Sequence, residues 1–164
     1  MVTNENPFAQ WASNGERMTQ LLNDDIINQI REVFDGLKQP VHIMFFGSKN
    51  RCEYCDETRR LAEEVAAISD LISIEIYDID ADADLAAGYN VDKAPGLVIA
   101  AKEGDQITDF GVRLAGIPSG HEFTSFIQDI ILVSSRDSGL NPQTREFLKG
   151  LDKPILLQVH VTPT

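Results

Sequence analysis

Cysteine occurs twice in the 164 residues, at Cys52 and Cys55, inside the run Arg51-Cys52-Glu53-Tyr54-Cys55. Two thiols separated by two residues can hold half of a metal site, staple a loop, sit as small hydrophobes, or work as a redox dithiol. A closed zinc site needs four ligands. The remaining pool is His42, His121 and His160, none at finger-type spacing from the pair, so no metal is assigned. Redox work needs an accessible nucleophile of low pKa and a protected second sulfur, able to attack the mixed disulfide formed on the first.

The flanking sequence meets that need. Val41-His42-Ile43-Met44-Phe45-Phe46 is nearly all apolar, the pattern of a strand covered on both faces. The turn Gly47-Ser48-Lys49-Asn50 follows, and from Tyr54 onward Leu61, Val65 and Ile68 keep helical spacing, with Ala62 and Ala66 beside them. Asp56 and Arg60 form an i,i+4 pair on the outer face. This places Cys52 at a helix N-terminus, where unpaired amides and the macrodipole favour the thiolate, and Cys55 one turn inward. Arg51 lowers the pKa of Cys52 further and Glu53 opposes it. Tyr54, inside the loop, is the better aromatic candidate for contacting a substrate, ahead of Trp11.

Elements on either side must hold this junction. Phe8 and Trp11 form one face of an N-terminal extension. Leu22, Ile26, Ile30, Val33, Phe34 and Leu37 predict a helix capped by Asn23 and stopping near Gly36. Ile72, Ile74 and Ile76 alternate with polar residues as a strand with one partly exposed face. A short helix is expected over Asp82–Gly88, a buried strand over Leu97–Ala101, a turn at Glu103-Gly104-Asp105, and a strand around Asp109–Leu114. Ser119-Gly120-His121-Glu122 has capping-box spacing ahead of a helix with core face Phe123, Phe126, Ile127, Ile130 and Ile131. Asn141-Pro142 opens a last helix ending at Gly150, and Ile155–Val161 reads as one more apolar strand. The order predicts an α/β domain: a central mixed β-sheet flanked by helices, with an extra N-terminal helix and a C-terminal helix plus an orphan strand.

Some forty residues beyond the pair comes Tyr89-Asn90-Val91-Asp92-Lys93-Ala94-Pro95-Gly96-Leu97. Strand, Cys-x-x-Cys, helix, then Tyr-x-Val-x-x-x-Pro and a buried strand resembles the thioredoxin superfamily. The resemblance implies that Pro95 is a cis-proline lying against the sulfurs and that Ala94 presents its backbone to the substrate. The segment Asp109–Phe123 is similar to the glutaredoxin-like protein disulfide oxidoreductases, which carry two thioredoxin-fold units in one chain. That resemblance runs from about residue 20 to the end. In that family the second unit opens with an apolar strand ending in Thr-Pro-Thr, and this chain ends Leu156-Leu-Gln-Val-His-Val-Thr-Pro-Thr164. The implied division is an extension over 1–20, a thioredoxin-fold domain over 21–136, and over 137–164 a connecting helix with the first strand of a missing second unit. Glutaredoxins proper have a Gly-Gly pair that helps hold glutathione, and Arg113-Leu-Ala-Gly116 stands there instead, so no glutathione site and no other cofactor is expected.

The expected function is that of a thiol–disulfide oxidoreductase acting on protein disulfides or dithiols and recycled by a thioredoxin-reductase-like flavoenzyme. Two alternatives stand beside it. One is a non-catalytic scaffold half of a two-unit oxidoreductase. The other is an electron-relay domain of a peroxiredoxin-reducing system, like the N-terminal part of the alkyl hydroperoxide reductase flavoprotein.

Charge and patterning close off other classes. The net charge is −12, from 26 acidic and 14 basic residues, and the basic ones include a single adjacent pair, Arg59-Arg60, so no nucleic-acid partner is expected. No apolar stretch approaches a membrane span, and the first 18 residues lack a signal-peptide core, so a cytoplasmic location is expected. The run Asp78-Ile-Asp-Ala-Asp-Ala-Asp84 fails the calcium-loop template, with Ala83 in the glycine position and Tyr89 in place of the final glutamate. Its acids read as a solvated strand end and helix start, one of them available to assist proton transfer from Cys55. His42 reads as a satisfied core or sheet-edge residue and His121 as a capping or packing one. The strand at 155–161 offers a dimer contact through edge pairing.

Overall fold

The computed structural model describes residues 20–50 and 52–160. Arg51, the segment 1–19 with Phe8 and Trp11, and residues 161–164 lie outside the described residues, and so do the expectations placed on them.

Helix α1 (Asp24–Phe34) is capped as expected, the Asn23 side chain accepting from the Ile26 amide. Ile30 and Phe34 are buried, but Val33 is 45% exposed and drops out of the expected core face. The chain entering α1 is tied across the molecule, because the Glu64 carboxylate accepts from the Leu21 and Leu22 amides at 2.8 and 2.9 Å.

Strand β1 (Val41–Gly47) is buried at every residue and lies in the middle of a four-stranded sheet of order β2-β1-β3-β4. Helix α2 (Cys55–Ala66) carries the chain across to β2 (Ile72–Asp78), which pairs parallel with β1, Ile43 opposite Ile74. Short helix α3 (Ala83–Gly88) leads to β3 (Gly96–Glu103), antiparallel to β1, and β4 (Gln106–Ala115) returns as a hairpin with an irregularity between Ile99 and Ala101. Alternate residues of the central strands feed two cores. Ile43, Phe45, Leu97 and Ile99 meet α1, α2 and α4 (His121–Ser135), while Met44, Phe46, Val98 and Ala100 meet α3 through Ala86. Ser134 of α4 is buried and fastens the chain leading into β1: its Oγ accepts from the Lys38 and Gln39 amides and donates to the Gln39 carbonyl at 2.7 Å.

Three local expectations need correction. The capping box at Ser119 does not form, because the chain enters α4 through Gly120 at φ 57°, ψ −122°, which moves Ser119 one position outside the cap. The i,i+4 ion pair observed on α2 is Arg59–Glu63 at 3.6 Å rather than Asp56–Arg60. Helix α5 (Pro142–Lys149) starts on an Asn141 cap as expected. Beyond it, residues 152–160 form no strand, since no described strand lies beside them to complete a ladder, and Leu156 and Leu157 are each 83% exposed.

Candidate functional site

Residues 48–54 link the end of β1 to the start of α2, and the cysteine pair closes that link. Cys52 and Cys55 are joined as a disulfide, with Cα atoms 5.4 Å apart. Cys55 is the first residue of α2 and belongs to the main core, whereas Cys52 is half-buried and packs against that core from outside. The expected one-inside, one-accessible arrangement is therefore present, with a shifted helix boundary. Tyr54, at φ −110° and ψ 16°, is the N-cap, so Cys52 precedes the helix rather than standing on its end. The Tyr54 carbonyl takes the Thr58 amide at 3.0 Å and the buried Thr58 hydroxyl at 2.7 Å, which holds the first turn. Tyr54, between the two cysteines in the chain, is 51% exposed, and Glu53 is exposed as well.

The sulfur of Cys55 accepts a hydrogen bond from the Ser48 amide at 3.4 Å. At Gly47 beside it, a Cβ would sit 2.8 Å from the Phe45 ring, a clash the glycine avoids, and 3.5 Å from Cys55 Sγ, an ordinary contact. On the opposite wall the Ala94–Pro95 peptide bond is cis. Pro95 is buried, and Ala94 packs against the same core as Cys52. Three contacts fix that loop. The Pro95 carbonyl accepts from the Gly116 amide at 2.9 Å. The Arg113 Nε donates to the Tyr89 carbonyl at 2.5 Å, with its guanidinium 5.9 Å from the Tyr89 ring centre. Gly96 leaves no room for a Cβ, which would meet Val91 at 2.7 Å and the Lys93 carbonyl at 2.9 Å. In the sequence Arg113 stands out only as a departure from a glycine pair, and its role as a strut for this loop has no signature there.

A cleft of about 820 Å³ is lined by Ser48, Asp80, Ala83, Ala87, Val91 and Ala94 among others. Small side chains make the hollow, since α3 presents alanines where larger residues would fill it. The acidic run beside it acts as turn scaffolding. Asp78 Oδ1 accepts from the Asp80 and Ala81 amides at 3.0 Å each, and Asp82 Oδ2 accepts from the Asp78 amide at 2.8 Å. The Ala81 and Asp80 amides hold the Asp78 carboxyl below its ordinary range. Among the described residues no group of three or more His, Cys, Asp or Glu side chains is placed to hold a metal ion. His121 is exposed at the start of α4, so of the capping or packing role expected of it the packing half does not hold. His42 is buried in β1, its Nδ1 2.8 Å from Ser73 Oγ and its Nε2 3.7 Å from Glu75, a satisfied core residue as expected.

No model of a known protein family matches the chain. Over 132 residues, 80% of its length, it is 25% identical to AhpF, a component of the alkyl hydroperoxide reductase of Pseudomonas aeruginosa. It is 26% identical over 144 residues to the same component from Staphylococcus epidermidis. The chain spans about a quarter of the length of these curated relatives, 22% and 25% respectively. Among solved structures, a protein disulfide oxidoreductase from Aeropyrum pernix superposes with TM-score 0.68 at 28% identity, covering 79% of this chain and 55% of that one. AhpF of Enterococcus faecalis superposes with TM-score 0.71 at 24% identity, covering 82% of this chain and 62% of that one, which speaks for the fold. Among the described residues no helix is long and apolar enough to cross a membrane. The chain is thus a unit of thioredoxin-like fold carrying a Cys-x-x-Cys disulfide, related to the AhpF component of alkyl hydroperoxide reductases and to a protein disulfide oxidoreductase.

Proposed function

We propose that this protein is a thiol–disulfide oxidoreductase that reduces, forms or isomerises disulfides in protein substrates through Cys52 and Cys55. The observation that carries the reading is the asymmetric pair, one sulfur half-buried against the edge of the core and the other in the core at the first residue of a helix. In the reducing direction the Cys52 thiolate attacks a substrate disulfide, so that a Cys52–substrate bond forms and the second substrate sulfur leaves with the electron pair and takes up a proton. Cys55, as thiolate, then attacks Cys52 Sγ; the Cys52–Cys55 bond forms and the reduced substrate sulfur departs. In this reading the cleft between Ser48 and Ala94 seats the substrate chain, the exposed Tyr54 contacts it, and Ala94 with Pro95 offers backbone to it. Arg51 and Glu53 set the acidity of Cys52 from opposite sides. The dithiol is regenerated by a thioredoxin-reductase-like flavoenzyme, the work takes place in the cytoplasm, and residues 21–136 form the redox unit.

Similarity to AhpF supports a second reading, a relay passing electrons from a flavoenzyme to a peroxide-reducing partner. Both readings use the same dithiol, and replacing single cysteines tests them against a scaffold role. Cys52→Ser is expected to lower turnover of a protein disulfide at least a hundredfold. Cys55→Ser is expected to trap the substrate on Cys52 as a mixed disulfide visible by intact mass. Turnover unchanged by Cys52→Ser would leave only the scaffold.

The apolar residues Ile155, Leu156, Leu157 and Val159, 66–83% exposed, are the contact through which two copies associate. Light scattering should show mass rising with concentration, and a clean monomer at high concentration would remove that contact.

A further inference from the structure

The mechanism above assigns roles to the two sulfurs and to the substrate wall, and it leaves the acidic turn after β2 without one. That turn is bound to the cysteine loop twice. The Ile79 amide donates to the Gly47 carbonyl at 2.8 Å, and the Ser48 hydroxyl donates to Asp80 Oδ2 at 3.1 Å. The turn is rigid in its own right, because Asp78 takes the amides of Asp80 and Ala81, and Asp82 takes the amide of Asp78. At the other end of this clamp the Ser48 amide points at Cys55 Sγ, at 3.4 Å.

We propose that Asp80 is a positioning residue for the inner sulfur: by holding the Ser48 hydroxyl it fixes the Ser48 N–H as the hydrogen-bond donor that stabilises the Cys55 thiolate. The inference rests on the thiol–disulfide reading. When an incoming thiolate attacks Cys52 Sγ, a new sulfur–sulfur bond forms there, the Cys52–Cys55 bond breaks, and its electron pair goes to Cys55 Sγ. That sulfur lies in the core, where water does not stabilise the new charge, and a fixed amide donor replaces the lost solvation. In the reverse step the same donor keeps Cys55 ionised and ready to attack. Asp80 acts here through geometry, and its own negative charge near the sulfur works the opposite way. The two effects differ in sign, and this makes the proposal testable.

The test titrates the Cys55 thiol by its ultraviolet thiolate absorbance in the reduced full chain carrying Cys52→Ser. Into this background go Ser48→Ala, Asp80→Ala and Asp80→Asn. Neither Ser48→Ala nor Asp80→Ala removes the backbone amide at position 48; each releases it from the clamp, and the weakened donor is expected to raise the Cys55 pKa by roughly half to one unit. Asp80→Asn, which still accepts from the Ser48 hydroxyl, should not raise it. With both cysteines present, resolution of a Cys52 mixed disulfide should slow roughly two- to threefold in the first two variants and not in the third, since the higher nucleophilicity of a more basic thiolate offsets part of its smaller ionised fraction. A Cys55 pKa that is unchanged or lowered in Asp80→Ala overturns the proposal, since removing a negative charge alone lowers a thiol pKa. The thiol–disulfide reading fails separately, if the unaltered chain has no reversible Cys52–Cys55 couple.

Discussion

Cys52 and Cys55 are chemically identical side chains set in different surroundings by a single helix boundary. Starting α2 at Cys55 rather than Cys52 leaves one sulfur at the rim and puts the other among Leu61, Phe45 and their neighbours. The spacing alone gave the pair and the sense of the division. It did not give the boundary, because Tyr54 and Thr58 settle that through a carbonyl–hydroxyl bond with no sequence signature. The Ser48 amide was illegible for the same reason, since a backbone donor can belong to any residue type, and Asp80 was legible only as one acid of the run 78–84. At this scale His42 carries a pH prediction. Burial depresses its pKa below 6.5, against the opposing pull of Glu75 and with help from Lys102. The folded state therefore binds fewer protons than the unfolded one. Stability contributed by the neutral ring is complete above pH 6.5 and is lost as pH falls from 6.5 through the depressed folded value. Denaturant midpoints measured from pH 8 to 5 should fall in this protein, and His42→Gln should flatten the fall.

Among the elements, the sequence was most informative where burial and periodicity coincide. β1, with every residue buried, is the run that read as covered on both faces, and the helical stripes of α2 and α4 face the core as their spacing requires. Reading failed where a tertiary fact decided the outcome. Gly120 displaced the cap of α4, and the apolar run after α5 has the composition of a strand but, among the described residues, none beside it to pair with. Packing of α4 also depends on a residue no pattern marked. Ser134 is 1% exposed and serves three backbone groups of the segment between α1 and β1. Ser134→Ala should cost about 1–3 kcal/mol, because the Lys38 and Gln39 amides lose their partner inside the protein. Chemical denaturation reads this directly, and a cost under about 0.3 kcal/mol would mean that water replaces the hydroxyl.

For the molecule as a whole, the order β2-β1-β3-β4 brings together segments far apart in the chain. The loop after β1, the turn after β2 and the loop before β3 meet at one end of the sheet and line the cleft through Ser48, Asp80 and Ala94, while Cys52 and Ala94 pack against the same core. This convergence explains why a pair of cysteines and a distant proline could be read as one site, through the resemblance, while the cleft itself could not. Its volume depends on which small residues of α3 face inward. Net charge −12 favours partners that are not themselves strongly acidic.

The central claim is that Cys52 and Cys55 cycle between dithiol and disulfide. A redox titration of the full chain against dithiothreitol buffers, with free thiols trapped by alkylation and counted by mass, tests it most directly. The expected result is a reversible two-electron couple between roughly −300 and −100 mV. A pair that stays oxidised well below about −300 mV would make the disulfide a structural staple and contradict the claim.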